Sequence, residues 1–357
     1  MDIMDSANGD SMNNGSSSFV KLLSKQNITK EYILHSAVNN QAQPQLAVTL
    51  STNEILHFDV ATQAKSTTYK GHEKTVTGIK FSQETPSTFF SSSIDGRVLA
   101  WDTRSGVSPV QPFVGFECVS FSLRNFSSDD SDGPSKPLTC FDLNSDETYL
   151  CAGTELIRED SFLLFWDRRT GTNVGGYWNS HTDEITHVQF HSTSNSELAS
   201  SSVDGLINIF DLNQNNEDDA LSNTLNTESS VNRFTWGPDN HFSCITGTED
   251  YQFWSAEQTS PALSMTRDDL TDLAESKIEY LVDTFLANRS FYLVSGTNDG
   301  SLHVYRQKKR HLIPNAVLSK GHTDVVRTVI PVKVNAVWWL YKVIVIFNWN
   351  FISMQIC

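Results

Sequence analysis

Three histidines, His181, His187 and His191, fall close together and carry nitrogens that could bind a metal ion. His187 and His191 lie four apart, which would align them on a helix. On a strand the same interval separates them by about 13 Å, too far for one ion. His72 is followed by Glu73, but "HEKTV" lacks the second histidine of a zinc-protease helix. The acidic pairs Asp129-Asp130 and Asp218-Asp219 sit in polar stretches and read as solvated loop charge. There is no G-x-S-x-G, no phosphate-cradling P-loop and no G-x-G-x-x-G. The residues therefore point to no catalytic group, no cofactor and no metal, and the chain is expected not to be an enzyme.

A different use of histidine and aspartate emerges from spacing. His72 precedes Asp95 by 23 residues, and His181 precedes Asp204 by 23. Six residues beyond each aspartate comes an aromatic, Trp101 or Phe210. The six-residue interval recurs from Asp160 to Trp166 and from Asp299 to Tyr305, and weaker copies end at Phe58 and Trp254. The closing aromatics are separated by 43, 65, 44, 44 and 51 residues, a base period of about 44. The long gap holds a Ser-, Asp- and Pro-rich insertion, "LRNFSSDDSDGPSKP".

The elements that position these residues are strands. "TVTGIKF" and "EITHVQF" alternate apolar with polar residues, and "TFFSSS" and "ELASSS" follow after a turn. Asp-Gly then makes a tight hairpin, and "RVLAW" or "LINIF" returns. One such unit cannot bury both faces of its small sheet, whereas units stacked around an axis can. The one plausible helix is "RDDLTDLAESKIEYLVDTFLANR", whose second half also reads as strand.

The 357 residues carry a formal net charge of −16. A duplex-binding protein needs a basic face to neutralise phosphates. The one basic cluster, Gln307 to His311, reads as a solvated turn, so no direct nucleic-acid partner is expected. The five cysteines are odd in number and form no C-x-x-C pair. That argues against a disulfide framework or structural zinc and for a reducing compartment. An intracellular location, cytoplasm or nucleus, is expected, not secretion. Residues 1–18 are polar, without the apolar core of a signal peptide, and read as a disordered leader.

The period, the Gly71-His72 opening, the Asp95 turn, the Trp101-Asp102 and Trp166-Asp167 endings and the His181, Asp204, Phe210-Asp211 copy resemble the WD-repeat family of β-propellers. The segments "CAGTELIREDSFLLFWDRR" and "SSVDGLINIFDLNQNNEDDAL" look closest to the group called WD repeat-containing protein 89. The resemblance implies an all-β fold, a β-propeller of seven blades with no known catalytic activity, here over residues 19–330. It implies a structural hydrogen-bonded chain of His72, one of Ser91 to Ser93, Asp95 and Trp101. His181 and Asp204 would form a second chain, one member short because Phe210 has no indole N–H.

Such a rigid ring is expected to serve as a scaffold for protein–protein interactions, with other proteins or peptides as partners. By family analogy Ile94, Val203 and Asn298, just before the hairpin turns, would lie near one face as candidate contacts. Trp101-Asp102-Thr103-Arg104 and Trp166-Asp167-Arg168-Arg169 both fit W-D-x-R. The pattern resembles the one by which some WD-repeat proteins dock on the adaptor of cullin-4 ubiquitin ligases, with Arg104 and Arg169 as contacts. The bland alternative is an arginine paired with a nearby carboxylate.

Gly321-His322 opens a seventh unit whose turn Asp should fall at position 345, which is a valine, and whose aromatic should be Phe351. Residues 331–357 are accordingly expected to be an aberrant hydrophobic tail that leaves the seventh blade incomplete, as translated non-coding sequence would. A membrane tether is the alternative use of this tail; Lys342, Asn348 and Asn350 in the segment argue against it.

Overall fold

In a computed structural model of the chain, residues 31–115 (40, 42, 61 and 63 apart), 136–319 and 325–331 are described in full. Residues 20–26, 332–334, 337–344 and 349–354 are described through their strand pairing alone. The leader expected at 1–18, most of the Ser/Asp-rich insertion and the Gly321-His322 pair lie outside the described residues.

Residues 33–69, 76–114, 138–177, 185–226, 231–265 and 280–318 each form a four-stranded antiparallel sheet in chain order, here blades one to six. Successive residues of a strand face opposite sides, and in this arrangement both sides are covered. Along Arg97–Asp102, Val98 and Ala100 pack against blade three, while Leu99 and Trp101 pack against blade one. Phe89 and Phe90 divide the same way. The closing strands therefore read as nearly continuous apolar runs. Further apolar layers join blade three to four, four to five and five to six.

A seventh sheet differs in kind. Val326–Val334, Val337–Ile344 and Trp349–Met354 pair in order, and Val20–Gln26, from the other end of the chain, pairs antiparallel with the last of them. Val326 and Val329 pack on blade six and Ile330 on blade one, so the first strands of all the sheets touch in a cycle. The expected count of seven like blades thus meets six contiguous ones and one composite sheet. Part of the stretch expected as an aberrant tail is placed in strands of that sheet. Among the described residues no helix is long and apolar enough to cross a membrane.

The Asp-Gly turns hold Gly96, Gly205 and Gly300 at φ of 80°, 86° and 81°, the left-handed region that favours glycine. Blade three departs from the expectation: Asp160 does not open a tight Asp-Gly hairpin. It pairs with Ile157 across a turn in which Arg158 and Glu159 take positive φ.

The expected helix is real over its first half, α2 at Arg267–Ala274. Thr266 accepts from the Asp269 backbone N–H while the Asp269 carboxylate accepts from that of Thr266, satisfying two otherwise orphaned donors. The second half is the strand Tyr280–Ala287. A four-residue helix, α1 at Glu217–Ala220, was not foreseen. Its Glu217 carboxylate accepts from the backbone N–H groups of Trp178 and Asn179 at 2.8 and 2.7 Å and from Ser180 Oγ at 2.6 Å. This latch ties the segment between blades three and four to blade four. Glu217→Ala is expected to cost about 1–2 kcal/mol in urea unfolding, since three donors to a charged acceptor lose it together but part of the site can rehydrate.

Candidate functional site

The two histidine–aspartate pairs sit where the strand pattern puts them. In blade two the Trp101 indole N–H donates to Ser91 Oγ at 2.8 Å, and Ser91 Oγ lies 2.8 Å from His72 Nε2. His72 Nδ1 is 2.9 Å from the Asp95 carboxylate. The geometry assigns the tautomer: Ser91 donates to Nε2, and Nδ1–H donates to Asp95. Asp95 also accepts from the backbone N–H of Glu73 and from both the backbone and guanidinium of Arg97. Burial would raise the Asp95 carboxyl, but the hydrogen bonds from His72, from Arg97 and from the Glu73 N–H outweigh it and hold it well below the usual range.

The order Ser–His–Asp is that of a nucleophilic triad, but the chemistry does not follow. Ser91 and Trp101 are fully buried, and one lone pair of the Ser91 oxygen is committed to the indole. No reacting carbonyl can approach it. The arrangement is a buried clasp that holds the segment preceding the blade, its hairpin turn and its closing strand together.

All three serines of "SSS" are used. Ser92 meets Thr77 at 2.9 Å; Ser93 donates to the Lys74 carbonyl and accepts from the Asp95 N–H. Blade four repeats the wiring. His181 Nδ1 lies 3.0 Å from Asp204 and its Nε2 lies 2.7 Å from Ser200. Ser201 meets Thr186, and Ser202 bonds the Asp183 carbonyl and the Asp204 N–H. Phe210 closes this unit without a donor. Thr77 and Thr186 each donate onward to the first residue of the next blade, Leu138 or Val231.

These two blades lie in the segments 63–102 and 173–211, and both segments match the family model described as "WD domain, G-beta repeat". At these two segments the chain carries WD repeats. Its relatives extend the match beyond those two repeats. WD repeat-containing protein GTS1 of Arabidopsis thaliana is 29% identical over 303 residues, 80% of this chain and 71% of that protein. The WD repeat-containing protein 89 homolog of Dictyostelium discoideum is 26% identical over 306 residues, covering 84% and 76%. The likeness to the WD repeat-containing protein 89 group therefore stands. WD-repeat proteins act in general as scaffolds for protein interactions.

The other WD-repeat blades improvise. Trp166 donates to the Val114 carbonyl of blade two. Trp254 donates to Gln252, which donates to Thr227, so glutamine does in blade five what serine and histidine do elsewhere. In blade six Ser295 reaches the Tyr305 hydroxyl at 3.4 Å.

Of the candidate contacts, Val203 is 41% exposed and Asn298 is exposed, while Ile94 is half-buried in its turn. Arg104 is exposed but clasps Asp102 through Nε and a terminal nitrogen at 3.0 and 2.8 Å. Arg169 is exposed. Leu156, 44% exposed at the blade-three turn, went unread in the sequence, because its turn carries no Asp-Gly to mark it.

Charged groups also line the first strands. Lys80 pairs with Asp142, and Arg233 pairs with Asp283 at 2.8 Å, each reaching the next blade. His187 stands edge-on to Phe234 at 5.0 Å. Burial, then the charges of Arg233 and Lys80, lower its pKa to about 3. His35 is lowered to about 4 by burial and then Arg233. His187 and His191 do not converge, and among the described residues no group of three or more His, Cys, Asp or Glu could hold a metal ion.

Proposed function

We propose that this chain is a non-catalytic scaffold that binds partner proteins on the rim carrying the blade-three and blade-four turns. One observation carries the reading. Leu156 and Val203 are exposed on adjacent blades, and the carboxylates Glu155, Asp183 and Glu184 crowd the junction between them. Val203 N–H donates to the Glu184 carbonyl, so the turn and the acidic segment are joined. Burial and then the charges of Glu155 and Asp183 push the Glu184 carboxyl up. Among the described residues none of the three has an ion-pair partner. An apolar side chain beside an uncompensated acidic cluster suits a partner that offers an aliphatic contact and a lysine or arginine.

The test is a Leu156→Glu plus Val203→Glu double variant with an unchanged melting temperature. Its partners, recovered by proximity labelling of the full chain, are expected to lose the members that the wild type captures through this rim. An identical partner list for both proteins would sink the reading.

Docking on a cullin-4 ligase adaptor draws less support, since Arg104 spends its guanidinium on Asp102. We infer also that the composite sheet serves as the seventh blade and that residues 19–330 form one domain with it. The first strands of blades two and four begin four residues after His72 and His181, and Val326 stands at that distance from His322. Free, buried Cys140, Cys151 and Cys244 support an intracellular, reducing location.

A further inference from the structure

We propose that Ser260 is a phosphorylation site whose phosphate is received by Arg310. Ser260 lies in the loop between Tyr251–Ser255 and Leu263–Met265 of blade five. The loop is pinned at both ends, Gln258 N–H to the Ser255 carbonyl and Ala262 N–H to the Phe253 carbonyl, and residues 257–260 between are exposed. Pro261 follows and biases Ser260 to the extended backbone that a kinase cleft accepts. Among the described residues the Ser260 hydroxyl has no hydrogen-bond partner.

Arg310 comes from the tight turn between the last two strands of blade six and lines the same shallow depression as Ser260. Lys308, Lys309 and Arg310 make no ion pair among the described residues, in a chain of net charge −16. Glu257 also lines the depression yet does not pair with Arg310. A cationic turn without an ion pair among the described residues thus shares this depression with an exposed Ser-Pro, on a protein of net charge −16.

The reaction is ordinary phosphoryl transfer from ATP by a kinase that accepts proline after serine. Ser260 Oγ attacks the γ-phosphorus, the bond to the β–γ bridging oxygen breaks, ADP leaves, and the hydroxyl proton passes to the base of the kinase. The product carries about −1.5 to −2 charge at pH 7 and three strong acceptors, a match for a guanidinium fork. It would tie the loops of blades five and six together.

Ser108-Pro109 is another exposed Ser-Pro. Arg104, close to it in sequence, is already bound to Asp102, so a phosphate there lacks this receiver. Full-length protein in a Ser108→Ala background is therefore incubated with ATP and a proline-directed kinase, mapped by peptide mass, and melted. Expected are one phosphate on Ser260 and a melting temperature raised by a few degrees at low salt. The rise disappears at high salt and in both Arg310→Ala and Arg310→Gln. No phosphate on Ser260 of the folded protein, or the same rise without Arg310, overturns the proposal.

Discussion

Asp95→Ala is expected to lower folding stability by about 3 kcal/mol, read as a shift of the urea midpoint. The carboxylate accepts from His72, Glu73 and Arg97 in a site where it is only 9% exposed. Its removal leaves the His72 ring and the Glu73 N–H without their acceptor, and hydrogen bonds to charged groups are worth about 1.5–3 kcal/mol each before any relaxation. Arg97 softens the loss, since it also reaches Glu73 and the Gly71 carbonyl and is partly in water. Asp204→Ala should cost less, because Leu206 replaces the arginine and the chain stops at Phe210.

The pH dependence has a definite sign. Asp95 is depressed in the fold, so its contribution is present above the unfolded value of about 3.9 and is lost as pH falls through that range. Asp95→Ala should therefore flatten the acid limb of the stability curve as well as lower it. A variant with an unchanged midpoint would show that the clasp holds nothing.

Acid should also destabilise the protein well above that limb. His187, His35 and His57 are lowered to about 3, 4 and 4, in each case first by burial. Unfolded, each takes up a proton near pH 6.5, while the folded state refuses it. The unfolded chain thus binds more protons between about 6.5 and 4, and stability falls as pH falls through that window. At pH 5 each group contributes at most about 2 kcal/mol of loss. The melting temperature is expected to drop from pH 7.5 to pH 5.0, and His187→Gln to make that drop shallower. Arg233 and Lys80 face His187 and Arg233 faces His35, which adds repulsion to burial; Asp59 opposes the shift at His57. Equal slopes for wild type and His187→Gln would remove His187 from the account.

Blades two and four were legible because their histidine, serine and aspartate are local to one repeat and repeat in step. What could not be read has a common cause, interaction across units or a turn without glycine. Glu217 reaches back past 37 residues to pin Ser180. Blade three turns on Arg158 and Glu159, and blade five on Glu249 at φ of 64°, so neither shows the Asp-Gly mark. Gln252 stands in for a serine–histidine pair that no pattern would have sought. The partner of Arg104 lies two residues away, and only geometry distinguishes an arginine clasped at home from one held out for a neighbour. Of the rim candidates Ile94, Val203 and Asn298, Ile94 is half-buried and the other two are exposed, and Leu156 is exposed on the blade next to that of Val203.

Ser91 to Ser93 and Ser200 to Ser202 present the same hydroxyls to the same kinds of group, and Thr77 and Thr186 pass the same bond forward to the next blade. The joints are therefore generic. A segment such as 72–102 could be exchanged for 181–211 with its histidine, serine, threonine and turn-aspartate bonds still matched, while the Arg97 guanidinium, the Trp101 indole and the Asn208 amide have no counterpart. The two blades are spare parts for each other, and a gene that duplicates, loses or shuffles one of them would hand the ring a unit already cut to fit.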